Sequence, residues 1–180
     1  MRAQDIIADW PYESREAAQI VIEEHGEPHE SAPSMLLWHN VGLTKRLTAW
    51  RDFAQHDFPA PHTDSVTTTV DYAVPTPFIA ELAEFDGSVT VARTAGEVSA
   101  TCHDEQANFL ALNLMVDIVS GEKTAEEARE YYAKEFLDYR RGLPTPYMQK
   151  LRFRVEGEAA DPDERILSDE QLEAAEREGT

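Results

Sequence analysis

Residues 105–120, EQANFLALNLMVDIVS, carry an apolar side chain at almost every position from Phe109 to Val119. Asp104 precedes them as an N-cap, and Gly121 follows where a helix end calls for left-handed backbone. The segment is predicted to be a helix with almost no polar face, and such a helix is buried at the centre of a domain. Its apolar run is broken by Asn113 and Asp117 and is too short to cross a bilayer. A helix that is apolar all round has to be covered, so its neighbours in the chain determine the architecture.

A two-residue apolar period supplies one cover. In Asp64–Val74, Val66, Thr68, Val70, Tyr72 and Val74 fall on one face, with Thr67 and Thr69 on the other. Met35–His39 and Leu43–Trp50 read as strands joined at Asn40-Val41-Gly42, and Ser88–Arg93 with Glu97–Thr101 as a second hairpin around Ala95-Gly96. Arg51–Thr63 holds Pro59 and Pro61 and reads as a loop, while Tyr147–Val155 alternates Leu151, Phe153 and Val155 with arginines and reads as a returning strand. Helices are expected over Ser14–Glu24 with Ser14 as N-cap, from Thr76-Pro77 to about Phe85, and from the Thr124 capping box to about Arg141. Hairpins with grouped helices give an α+β class: an antiparallel or mixed sheet of about five to six strands with helices packed on one face.

The chain has 180 residues, and its 35 acidic against 16 basic side chains give a net charge of −19. This length fits one domain over residues 1–155, followed by an acidic tail, 156–180, in which the Ser168 capping box marks a short helix. The acid excess argues against nucleic acid and against anionic membranes as partners, because both need clustered Lys and Arg. Only Lys45, Lys123, Lys134 and Lys150 are lysines; the charge serves solubility or reflects salt adaptation. Cys102 is the sole cysteine, so no intrachain disulfide is expected. The N-terminal MRAQDIIADWPYES has no long apolar run, so no signal peptide is expected and the cytoplasm is the expected compartment.

Several residues have both a structural and a chemical reading. Asn113 and Asp117 are four apart on one helix face; with Asn108 and Trp38 they form the floor and wall of a ligand pocket, or they are satisfied within the fold. Cys102 and His103 lie beside Asp104 at a strand-to-helix junction. With Asp117 they suit nucleophilic chemistry; otherwise Cys102 faces the core, His103 faces water and Asp104 caps. His56, His62 and Asp64 lie close in sequence and could converge as ligands for zinc or iron, or stay solvated in a loop. There is no P-loop, GxGxxG, GxSxG or HExxH pattern, so no cofactor is expected.

Gly26-x-Pro28-x-Glu30, the Trp38 strand, Pro61–Asp64 (PHTD), Asp86–Ser88 (DGS) and Asn108–Leu114 (NFLALNL) together resemble an uncharacterised bacterial family over about residues 14–140. The resemblance implies no activity or site residue. The helix–GxP–Trp-strand piece is also similar to a unit of small outer-membrane assembly lipoproteins, from which this chain departs in having no lipobox cysteine. The functional expectation is a soluble non-catalytic protein that binds a protein partner or a second copy of itself. The alternative is a small enzyme or ligand-binding module with its pocket between the sheet and helix 105–120.

Overall fold

The computed structural model describes residues 2–155 and 163–179. Its centre is a six-stranded, fully antiparallel sheet in the order β1-β2-β3-β4-β6-β5. The strands are β1 (Glu30–Ala32), β2 (Met35–Val41), β3 (Thr44–His56), β4 (His62–Asp71), β5 (Val89–Ala92) and β6 (Glu97–Cys102). Both edge strands are short, three residues in β1 and four in β5. The helices are α1 (Ala3–Ile7), α2 (Tyr12–His25), α3 (Ile79–Phe85), α4 (Glu105–Val119), α5 (Ala125–Arg140), α6 (Pro146–Gln149) and α7 (Asp169–Glu178). The α+β class, with helices on one face of the sheet, is as the alternation of hairpins and helices requires.

The alternation along β4 puts Val66 and Val70 on one face, where two apolar clusters lie side by side. Val66 packs under α1 and α2 with Leu36, Trp38, Leu47 and Ala49. Val70, with Val98 and Ala100 of β6, packs under α3, α4 and α5. Between them Asn108 of α4 donates to the Val66 carbonyl at 2.8 Å and to Thr68 Oγ1 at 3.1 Å, tying the helix to the middle of the strand. The opposite face is a ladder of hydroxyls: Thr67 with Thr101 and Thr69 with Ser99, each pair 2.9 Å apart, with Trp50 Nε1 donating to Thr67. Helix α4 is buried as expected, with Leu110, Leu112, Leu114 and Met115 fully enclosed. Asp104 caps it through Ala107 N–H at 2.8 Å, and the Thr124 and Ser168 capping boxes are both formed.

Three local readings are corrected. Arg51–His56 is not loop but the second half of β3, whose register shifts between Ala49 and Ala54. A bulge lets the strand run on although its side chains there are exposed. Tyr147–Val155 is not a strand. It forms α6 and an irregular stretch, because the Asn113 side chain takes the backbone partners a neighbouring strand would supply. Ser14 lies inside α2, buried, and Pro11 stands at the N-cap instead. The first part of the acidic tail, 156–162, lies outside the described residues; α7 follows it and buries none of its side chains. No helix among the described residues is long and apolar enough to cross a membrane.

Candidate functional site

The β3–β4 hairpin ends in a five-residue turn, Asp57–Pro61, containing a cis Phe58–Pro59 bond. His56 and His62 are paired directly across it, so their rings share a face, with centroids 4.9 Å apart. Two residues further along β4, Asp64 returns to the same face. Its side chain is only 4% exposed, because the sheet's helix-covered side closes over it. Asp64 Oδ1 lies 3.0 Å from His62 Nε2, and Oδ2 lies 3.2 Å from His56 Nδ1.

Neighbouring elements complete the group. Asp86 closes an Asx turn on the Ser88 N–H at 2.8 Å, and Ser88 Oγ then donates to Asp64 Oδ2. Asp86 Oδ1 is 3.8 Å from His56 Nε2, and burial raises this carboxyl above the usual range. Cys102, the last residue of β6, sits opposite Val66 in the register and so faces the same side. Its Sγ is 3.3 Å from His62 Nε2, and Tyr132 of α5 stands 4.0 Å away. Burial pushes the Cys102 thiol up, more than His62 pulls it down. For His62, burial works against the charged ring, but Asp64 and Cys102 outweigh it and raise the imidazole to about 11. The Asp64 carboxylate and the Cys102 sulfur both face this nitrogen, and the buried carboxylate calls for positive charge beside it.

One atom in this group is left without a hydrogen bond. Asp64 Oδ1 is buried and accepts none, since His62 Nε2 approaches it outside hydrogen-bonding geometry. His62 directs its other nitrogen, Nδ1, to the Ala60 carbonyl at 2.8 Å. His56, His62 and Asp64 can each present one donor atom within 4.8 Å of the others, as metal ligands do. A second such group, Glu24, His25 and Glu105, is different: Glu24 is exposed, and His25 and Glu105 satisfy each other at 2.8 Å.

His62 and Cys102 also form the floor of a cavity of about 310 Å³ beneath the Pro59–Pro61 turn. Its walls come from α4 at Ala107 and from α5 at Tyr132, Phe136 and Arg140. Arg129 holds the turn in place, stacking 3.8 Å from the Phe58 ring centroid while donating to the Phe85 carbonyl at 2.6 Å. Arg140 lies 5.1 Å from the Phe136 ring and has no carboxylate partner among the described residues, in a protein rich in acids. A larger groove of about 580 Å³ is lined by Asp5, Asp9 and Arg51, two carboxylates against one cation, a balance unsuited to an anionic ligand.

The other residues singled out from sequence are scattered. Trp38 is buried in the α2 layer and donates to the Gly26 carbonyl at 3.1 Å. Asn108 faces β4, and Asn113 holds the backbone of 147–152. Asp117 lies near the far end of α4, about 20 Å along the axis from Asp104. It accepts from Lys123 at 2.6 Å and from Tyr147 at 2.9 Å. Cys102 meets His62 rather than its neighbour His103, which lines the cavity. Asp86, Ser88 and Tyr132 escape sequence reading. The Asp-Gly-Ser stretch signals an Asx turn but not what the turn faces. No family model, curated protein or solved structure matches the chain.

Proposed function

We propose that this chain is a ligand-binding module whose site is the cavity between β4, β6, α4 and α5, and that its ligands are small, largely apolar carboxylic acids. The observation that carries this is Arg140, exposed at the rim of the cavity and without a carboxylate partner among the described residues, beside an apolar wall of Tyr132 and Phe136. Mostly apolar lining with a few convergent polar groups is the usual make-up of a small-molecule site, and about 310 Å³ is at the lower end of the usual sizes. Guanidinium groups recognise carboxylates through two parallel hydrogen bonds, and an aromatic neighbour restricts where the guanidinium points.

The test is a titration of labelled protein with benzoate, hexanoate and benzyl alcohol, followed by amide chemical shifts. Saturable shifts confined to residues 59–62, 102–107 and 132–140 are expected with the two acids, weaker ones with the alcohol, and none in Arg140→Gln. Indifference to both acids, or shifts that survive in Arg140→Gln, would overturn the reading.

Binding of a protein partner or a second copy is favoured by a separate observation. Helix α7 is well capped yet buries nothing, and it leaves Leu172 exposed, with Ile166 and Leu167 exposed just before it. Capped amphipathic segments of this kind dock into grooves of partner proteins. Sedimentation and partner recovery should then change when residues 156–180 are removed; identical behaviour of the two chains counts against this reading.

A further inference from the structure

We propose that His56, His62, Asp64 and Cys102 form a tetrahedral binding site for one divalent transition-metal ion of the zinc type. This goes beyond the carboxylate-binding reading and does not depend on it. Three independent observations meet here. The ligand atoms converge from two histidines paired across a hairpin and an aspartate two residues on. Asp64, nine-tenths buried, keeps one carboxylate oxygen free of hydrogen bonds and aimed at the group. His62 gives its Nδ1–H to the Ala60 carbonyl, which leaves Nε2 turned toward Asp64 and Cys102.

That last arrangement is how proteins orient a metal-bound imidazole: the far nitrogen donates to a carbonyl, and this fixes the tautomer that presents a lone pair to the ion. Ser88 plays the same part for the carboxylate by donating to Asp64 Oδ2, leaving Oδ1 for the metal. The spacings suit the size of the ion. Zinc binds nitrogen and oxygen at about 2.0–2.2 Å and sulfur at about 2.3 Å, so ligand atoms around it lie roughly 3.3–3.7 Å apart. His62 Nε2 lies 3.0 Å from Asp64 Oδ1 and 3.3 Å from Cys102 Sγ, and the donors of His56, His62 and Asp64 all fall within 4.8 Å of one another; Cys102, close to His62 alone, completes the set by a shift of its side chain toward the other two. Two imidazoles, one carboxylate and one thiolate favour zinc over calcium or magnesium, which take oxygen donors in larger number.

On binding, the Cys102 S–H bond and the His62 Nε2–H bond break, both protons pass to solvent, and sulfur–metal and nitrogen–metal bonds form; no electrons are transferred. The ion thereby replaces the proton as the positive charge that the buried carboxylate and sulfur require. With all four positions taken by protein, the site is closed and holds β3, β4 and β6 together at one end of the sheet.

The experiment uses the full untagged chain, stripped with chelator and titrated with Co²⁺, then with Zn²⁺ in competition. One equivalent of Co²⁺ should give the intense visible bands of tetrahedral cobalt and a near-ultraviolet thiolate charge-transfer band, and Zn²⁺ should displace it and raise Tm. Cys102→Ser should lose the charge-transfer band. His56→Gln, at the partly exposed edge of the group, should weaken binding at least about tenfold while its circular dichroism stays native. Asp64→Asn should do the same where it folds. Absence of one-equivalent binding, a cobalt spectrum without the thiolate band, or unchanged affinity in folded His56→Gln would each overturn the proposal. A protein that binds no metal yet still gives carboxylate-dependent shifts leaves the cavity reading standing, so the two fail separately.

Discussion

At the scale of single residues, Asn113 shows how a buried amide can replace secondary structure. Its side chain donates to the Tyr147 and Lys150 carbonyls at 2.9 and 2.8 Å and accepts from the Arg152 N–H at 2.7 Å. One side chain thus satisfies three backbone groups of an irregular segment, and the strand expected over 147–155 has no need to form. Asn113→Ala would leave these groups unpaired and is expected to cost roughly 2–4 kcal/mol in urea unfolding. Amide exchange should then speed up selectively over residues 146–152. The amide was visible in the sequence as a polar interruption of α4, but its partners lie more than thirty residues downstream. Likewise His56, His62 and Asp64 were legible as a short-range group, because a hairpin brings near neighbours together. Cys102 and Asp86 join them only through the pairing of distant strands, which no local pattern encodes.

At the scale of elements, the strands are fastened on their open face by charge as well as by hydroxyls. Arg46 of β3 donates through both terminal nitrogens to Glu97 of β6, at 3.0 and 2.5 Å. Lys45 bridges Glu97 at 2.8 Å and Asp71 of β4 at 2.6 Å. The Arg46 contact, aided by Lys45 and opposed by burial, draws the Glu97 carboxyl down to about 2. Because the folded value lies below the unfolded one, the stability it contributes is full above the ordinary carboxylate range. That contribution is lost as pH falls toward about 2. The urea midpoints of wild type and Glu97→Gln should therefore differ at pH 7 and converge as the solution is acidified through this window. Elements with local signals were read correctly: α4 from its apolar run, α5 and α7 from capping boxes, β4 from its alternation. The second half of β3 was not, because exposed polar residues beside prolines resemble a loop until a partner strand is seen.

At the scale of the whole molecule, two apolar layers share one sheet, and an excess of nineteen negative charges surrounds them. Self-repulsion of this size opposes compaction and is screened over about 8–10 Å at moderate ionic strength. Thermal melts of the metal-free protein should show Tm rising between dilute and molar sodium chloride, with most of the gain at the low end, where screening changes most. A flat response would mean that local pairs such as Arg46–Glu97 already neutralise the field where it matters. The class and layering of the fold were legible because composition and periodicity report averages over many residues. The location of the site was not, since it depends on which few side chains the average brings to one end of the sheet.

The brevity of β1 and β5 bears on how the protein behaves in crowded solution. A long free margin offers unmet amide and carbonyl groups to any neighbouring molecule, and stacking at such margins is how fibrils grow. Here the sheet tapers to three residues on one side and four on the other, leaving too little backbone to template an incoming chain. Edge-to-edge growth at β1 and β5 is thereby disfavoured, and the net negative charge opposes close approach of copies as well.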